Sequence, residues 1–173
     1  TGTITKGKPQ VTEIYPIGID TKELLTLAAS IESSSQHPLA KAVVDYVKEQ
    51  GISLKTVENF QMLSGKGLKG TIDGGMILSG NQRLMKEHDI DLSPVQAKAQ
   101  LLASQGKTPL FYAYNGQMIG LIVVSDVLKE TSQNAINQLK DMGLTIYMLT
   151  GDNQLTAQAI GDELGIQVIA EVL

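Results

Sequence analysis

Apolar residues recur along this chain with two different periods, and the changes of period mark out its elements. "VTEIYPI" (11–17) alternates apolar and polar positions, which predicts a strand. After Asp20, a good N-cap, Leu24, Leu25, Leu27, Ala28 and Ile31 fall on one helical stripe, so a helix to about Glu32 is expected. "SSSQHP" interrupts that pattern. A second stripe, Leu39, Val43, Val44, Tyr46 and Val47, then runs from Pro38 until Gly51 stops it. The outcome is a pair of helices joined by a polar elbow that carries His37.

Beyond Gly51 the period shortens. "TVENFQML", "LKGTID" and "GMILSG" predict short strands of a small antiparallel sheet, separated by "SGKG" and by the hairpin signal "DGG". "NQRLMKEH" and "SPVQAKAQLLASQ" follow as helices, and "PLFYAY" and "QMIGLIVV" as two strands joined at Asn115-Gly116. From Ser125 the rhythm changes again: helix "LKETSQNAINQLKDM", strand "TIYML", helix "NQLTAQAIGDEL", strand "QVIA". Alternating strands and helices imply parallel pairing through crossover connections. The pattern therefore predicts an α+β unit over roughly 12–118, an antiparallel sheet flanked by helices, followed by half of a doubly wound α/β unit.

Composition narrows the classes. At 173 residues and 42% hydrophobic content, with mean hydropathy near zero, the chain is long enough for one substantial domain or two small ones. The longest apolar run, Ile119 to Val124, is far below the roughly 20 residues of a membrane helix, and "TGTITKGKPQ" has no signal-peptide core. Beginning at Thr1-Gly2-Thr3 and stopping at "IAEVL", the chain reads as a piece of something longer. With no cysteine and only His37 and His88, thiolate and histidine-built metal sites are not expected. A net charge of −4 with scattered Lys and Arg offers no basic stripe for nucleic acid.

Several stretches carry candidate chemistry, each beside a plainer explanation. "GKGLKG" places Gly65, Gly67 and Gly70 in G-x-G-x-x-G spacing, but a hairpin follows instead of a helix, so the dinucleotide fingerprint fails on context. What remains is a glycine loop that brings backbone close to something flat or phosphorylated, or else a hairpin with a bulge. Glu32 and His37 flank the polar elbow and can project toward one pocket, or be a surface charge and a solvated imidazole. Gly80-Asn81 at a strand-to-helix junction is adequately explained by capping. Thr1-Gly2-Thr3-Ile4-Thr5 has the hydroxyls of a phosphate-binding turn, or is a frayed strand. In "MLTGDN", Thr150, Gly151 and Asp152 stand at the carboxyl end of a strand, where open α/β sheets bind ligands. Free N–H groups and the helix dipole favour an anion there. The carboxylate of Asp152 either caps the helix or attends a divalent cation that accompanies a phosphate.

Taken in order, five of these stretches resemble the motifs of heavy-metal-transporting P-type ATPases. "TGTIT" resembles the tail of the Asp-Lys-Thr-Gly-Thr phosphorylation motif, "ESSSQHPLAKA" the Ser-Glu-His-Pro-Leu nucleotide motif, and "GKGLKG" the glycine loop. "SGNQRLM" resembles the Gly-Asn pair and "MLTGDN" the Thr-Gly-Asp motif, while "GNQRLMKEHDIDLS" looks most like the copper-exporting branch. The likeness covers essentially the whole chain. It departs at Gln36, where the family often has Glu.

The resemblance implies a nucleotide-binding domain over 12–118, inserted into a partial haloacid-dehalogenase-like phosphorylation domain formed by 1–11 and 119–173. ATP and Mg²⁺ would be the ligands. Glu32 and His37 would contact or orient adenine, Gly65, Gly67 and Leu68 would line the pocket by backbone approach, and Gly80 and Asn81 would complete it. Thr1, Gly2 and Thr3 would lie beside the phosphoryl group, with Thr150, Gly151 and Asp152 across from them. Thr1 and Asp152 would serve Mg²⁺ indirectly or through main chain. The phosphorylated Asp would precede Thr1 and a Gly-Asp-Gly segment would follow Leu173, so the chain would hold no catalytic nucleophile and would bind ATP weakly without autophosphorylating. Implied partners are the remaining phosphorylation, actuator and membrane domains of a parent pump in the cell membrane, and a metal chaperone or metal-binding domain. Two other functions fit parts of the pattern: a haloacid-dehalogenase-like phosphatase whose inserted unit is a substrate cap, and a nucleotide-binding regulatory module. A cap, however, has no reason to carry the Glu32, His37 and glycine-loop set.

Overall fold

A computed structural model describes residues 3–150, 154–170 and 172. In chain order the elements are β1 (Thr5–Pro16), α1 (Thr21–Glu32), α2 (Pro38–Glu49), β2 (Glu58–Leu63), β3 (Gly67–Ile72), β4 (Gly75–Gly80), α3 (Gln82–Glu87), α4 (Gln96–Ser104), β5 (Thr108–Tyr114) and β6 (Gln117–Leu128). The second region adds α5 (Glu130–Asp141), β7 (Tyr147–Leu149), α6 (Gln154–Leu164) and β8 (Gln167–Ile169).

The first region is a three-layer sandwich. Its six-stranded antiparallel sheet runs β1-β6-β5-β4-β3-β2. Alternation along each strand sends successive side chains to opposite faces. Ile77, Tyr112 and Ile122 pack with α1 and α2, whereas Leu78, Phe111 and Leu121 pack with α3 and α4. The tight turns follow from residues that tolerate positive φ: Asp73 (50°) with Gly74 (76°), and Asn115 (49°) with Gly116 (79°), as two-residue hairpins require. Asp20 caps α1 by accepting from the Glu23 amide at 2.8 Å.

The limits drawn at 12 and 118 fall inside β1 and β6. The predicted three-stranded sheet and the β5–β6 hairpin are one sheet, and β6 runs without a break from Gln117 to Leu128. The apolar run Ile119 to Val124 is continuous because β6 is an inner strand with a helical layer on each face, so both sides of its pleat are buried.

The second region is smaller. β7 and β8 pair in parallel, with Met148 opposite Val168, as the alternation of strands and helices predicts. Two bonds join the start of β1 to the start of α5: the Lys129 amide donates to the Ile4 carbonyl at 2.9 Å and Ser132 Oγ to the same oxygen at 2.7 Å. The chain enters the sandwich along β1 and leaves along its neighbour β6, with Thr5 opposite Leu128 and a register shift between Thr5 and Pro9.

Candidate functional site

The last residue of α1, Glu32, comes down on the sheet at Ser79 of β4 and Tyr112 of β5. It is 5% exposed. Ser79 Oγ and Tyr112 Oη both donate to Oε1, the latter at 3.0 Å, and among the described residues Oε2 receives no hydrogen bond. Burial pushes the Glu32 carboxyl up, against the two hydroxyls and nearby His37, which favour the charged form. Burial, with the Glu32 charge next in weight, also pushes the Tyr112 phenol well up, so the hydroxyl stays neutral and donates. Glu32 is thus a buried carboxyl group with one oxygen engaged, not a surface charge.

His37 stands at the elbow five residues on. Its extended backbone (ψ 139°) ends the loop, Pro38 occupies the first helical position, and Nδ1 accepts from the Leu39 amide at 3.2 Å. In the neutral ring this acceptor role puts the proton on Nε2, pointing a donor away from the helix end. The cap explains part of why a histidine sits here, while the exposed ring remains available to a ligand.

The glycine motifs meet on β3 and β4. Gly67 pairs directly with Gly80, and Leu68 with Ser79, the residue that binds Glu32. A Cβ on Gly67 would lie 2.1 Å from the Ser79 carbonyl oxygen, and one on Gly80 would lie 2.2 Å from that of Lys66, so the strands approach closer than any side chain permits. Gly67 has φ +148° and Gly65 +69°. Asn81 locks the crossing: its amide donates to the Lys66 carbonyl at 2.9 Å, its Nδ2 to the Gly65 carbonyl at 3.0 Å, and its Oδ1 accepts from the Leu84 amide at 3.1 Å. The capping explanation of Asn81 therefore holds, and the same side chain also ties down the glycine loop. Gly70 has a different duty. A Cβ there would meet Val57 and Ile31 at 2.7 and 2.9 Å, so it seats α1 on the sheet. Glu32, Gly65, Gly67, Leu68, Gly80 and Asn81 thus gather at one corner of the sandwich, with His37 on the elbow leaving Glu32.

A second locus lies between the two regions. Thr150 follows β7, and its amide donates to the Ile169 carbonyl at 3.1 Å, at the carboxyl end of the parallel pair as expected. Thr150 and Thr3 line one cleft of about 1070 Å³, together with Lys107, Asp126 and Leu39, two residues past His37. Thr1, Gly2, Gly151 and Asp152 lie outside the described residues. No group of three or more His, Cys, Asp or Glu suited to a metal occurs among the described residues, and none of their helices is long and apolar enough to cross a membrane.

Three residues here escape motif reading. Ser79 and Tyr112 hold Glu32, and only the alternation of β4 and β5 onto the α1 face points to them. Asp126 accepts from the Gly7 amide at 3.0 Å through Oδ1, while among the described residues its buried Oδ2 has no hydrogen-bond partner. A carboxylate inside the apolar stretch "LIVVSDVL" was the available signal.

Comparison with known proteins concerns the whole chain. A family model described as hydrolase, haloacid dehalogenase-like hydrolase, matches residues 1–173. The chain belongs to that family. Within it, the chain is 45% identical over its whole length to a copper-exporting P-type ATPase of Staphylococcus haemolyticus, of which it covers 21%. The family fold recurs in a zinc-transporting PIB-type ATPase in its E2.Pi state, 34% identical with a TM-score of 0.90, where all of this chain matches 28% of that one. It recurs again in the catalytic domain of the CPx-ATPase CopB-B, described with its conformational changes upon nucleotide binding. That match is 29% identical with a TM-score of 0.70 and covers 99% of this chain and 60% of that one. The resemblance to heavy-metal P-type ATPases seen in the motifs therefore extends over the whole sequence and fold.

Proposed function

We propose that residues 1–173 are the ATP-binding cytoplasmic region of a copper-exporting P-type ATPase, with the sandwich as nucleotide-binding unit and the β7–β8 region as part of the phosphorylation domain. The observation that carries this reading is buried Glu32, anchored through one oxygen beside the side-chain-free crossing of Gly67 and Gly80. The other oxygen suits the exocyclic amine of adenine; guanine presents a carbonyl at the equivalent ring position and would meet acceptor with acceptor. His37 Nε2–H supplies a neighbouring donor, and Gly65, Gly67, Leu68, Gly80 and Asn81 offer backbone to the rest of the nucleotide. On this reading the binding unit spans residues 12–118, and the β1–β6 ladder that pairs Val11 with Val124 and Gln10 with Ser125 continues from it.

Leu39 supports the route from this corner to the phosphoryl site, because it lies two residues from His37 and lines the cleft of Thr3 and Thr150. Thr1, Gly2, Thr3, Thr150, Gly151 and Asp152 surround the transferring phosphoryl group. Mg²⁺, served by Thr1 and Asp152, would neutralise charge there. The nucleophilic aspartate belongs to the parent pump outside residues 1–173, so this stretch binds ATP weakly and does not autophosphorylate. The parent couples hydrolysis through an aspartyl-phosphate to metal export across the cell membrane, working with its remaining phosphorylation, actuator and membrane domains and with a metal chaperone or metal-binding domain.

Amide shifts on titration test the site. ATP is expected to move Glu32, His37 and Gly67, and GTP to move them less; equal shifts for both, or none at these residues, would overturn the adenine assignment. His37→Ala should weaken ATP binding and remove a helix cap worth about 1 kcal/mol. His37→Asn, which restores a cap, should recover stability and leave ATP binding weak; recovery of both would reduce His37 to a capping residue.

A further inference from the structure

The corner that receives adenine presents a buried carboxylate, yet a nucleoside triphosphate carries a strongly anionic tail. Cations attached to the same lattice sit at its outer lip. Lys66 lies between Gly65 and Gly67, and its backbone is fixed on both sides: its amide donates to the Leu63 carbonyl and its carbonyl accepts from Asn81, each at 2.9 Å. Its side chain reaches α3, where Nζ pairs with Glu87 Oε2 at 2.7 Å, while Arg83 Nε pairs with the other oxygen, Oε1, at 3.1 Å. Lys86 lines the same shallow surface depression as Arg83 and Glu87. Two cations on one carboxylate, with Lys86 on the same helix as Arg83, leave a local excess of positive charge on a chain whose net charge is −4.

We propose that Lys66 and Arg83 bind the polyphosphate tail of the nucleotide, and that the Glu87 carboxylate holds their place until phosphate oxygens displace it. This rests on the adenine reading of the same corner. The geometry favours exchange. Glu87 bridges both cations through separate oxygens, the way two phosphate oxygens would. Its side chain is 38% exposed, with Lys66 at 31% and Arg83 at 74%, so the pair opens without unburying charge. The fixed backbone of Lys66 keeps the ammonium near the lip throughout, since only its side-chain torsions move.

Calorimetric titration of residues 1–173 with ATP, AMP and adenosine tests this, alongside Lys66→Gln, Arg83→Gln and Glu87→Gln. Lys66→Gln is expected to weaken ATP about 2- to 5-fold, the range of one exposed ionic contact, and to leave adenosine unchanged. Arg83→Gln should act in the same direction more weakly, and Glu87→Gln should tighten ATP about 2-fold by removing the competing anion. These differences should vanish near 0.5 M salt, where screening is strong. Unchanged ATP affinity in Lys66→Gln, or an equal loss for adenosine, overturns the polyphosphate role, and weaker ATP binding in Glu87→Gln overturns the displaced-anion role. Failure of the wild-type chain to bind any of the three overturns the adenine reading instead. Thermal melting of each variant at its wild-type midpoint separates lost binding from lost fold.

Discussion

β6 and β7 are both apolar strands built from similar residues, but Ile122, Val123 and Val124 of β6 are fully buried while Tyr147 and Leu149 of β7 are 52% and 63% exposed. The difference lies in what stands on either side. β6 has a strand on each edge and a helical layer on each face, whereas among the described residues β7 has one parallel neighbour and lies in a region where Ile136, Ala157 and Leu164 are the buried apolar residues. β-propensity therefore does not decide how much a strand contributes to stability; enclosure does. The sandwich is self-sufficient in its core, and the β7–β8 region presents apolar surface for further packing.

The sharpest way to break that contrast is Leu24→Ala in the layer over β6. Leu24 is 0% exposed, and its removal should cost about 2–5 kcal/mol, read as a large drop in the melting temperature of the sandwich. A drop no larger than that of a β7 substitution would show that the sandwich is not the independent core.

A middle-sized effect comes from Glu32. Because burial raises its carboxyl in the folded state, the fold binds this proton more tightly than the unfolded chain does. The associated stability is fully present at pH below the unfolded carboxyl value and is lost as pH rises through the raised folded one. Denaturant melts across mildly acidic pH should show wild-type stability declining with pH relative to Glu32→Gln, which keeps the acceptor for Ser79 and Tyr112 but cannot ionise. Parallel curves for the two proteins would contradict the raised value. The smallest effect is expected for Leu149→Ala, within about 0.5 kcal/mol of wild type, because little of its surface is withdrawn from water.

Much of the fold was legible because local rules and tertiary packing agree. Asp20, Pro38 and Asn81 start helices where capping rules put them, and Asp73-Gly74 and Asn115-Gly116 turn where positive φ is tolerated. The continuity of β6 across residue 118 was less legible, since its apolar run looks alike whether the strand belongs to a parallel or an enclosed antiparallel sheet. At the candidate site, motif order brought forward the glycine loop, Asn81, Glu32 and His37. The partners Ser79 and Tyr112 are 47 and 80 residues from Glu32 in sequence, and only the register of β4 and β5 places them. Burial of Glu32 could not be read locally either: a glutamate ending a helix before "SSSQ" is indistinguishable from a solvated one until the sheet beneath it is known.

The adjacency of β1 and β6 has a mechanical consequence. A unit whose two chain connections leave side by side is suspended from a strap two strands wide, and such a ribbon flexes readily across its flat face while resisting shear in its plane. The register of this strap slips twice, between Thr5 and Pro9 and between Val11 and Glu13; in the first stretch Pro9 has no amide to donate, and Asp126 holds the Gly7 amide. Bending confined to these two steps would leave the paired core strands β6, β5, β4 and β3 as they are, because none of their mutual pairing depends on them.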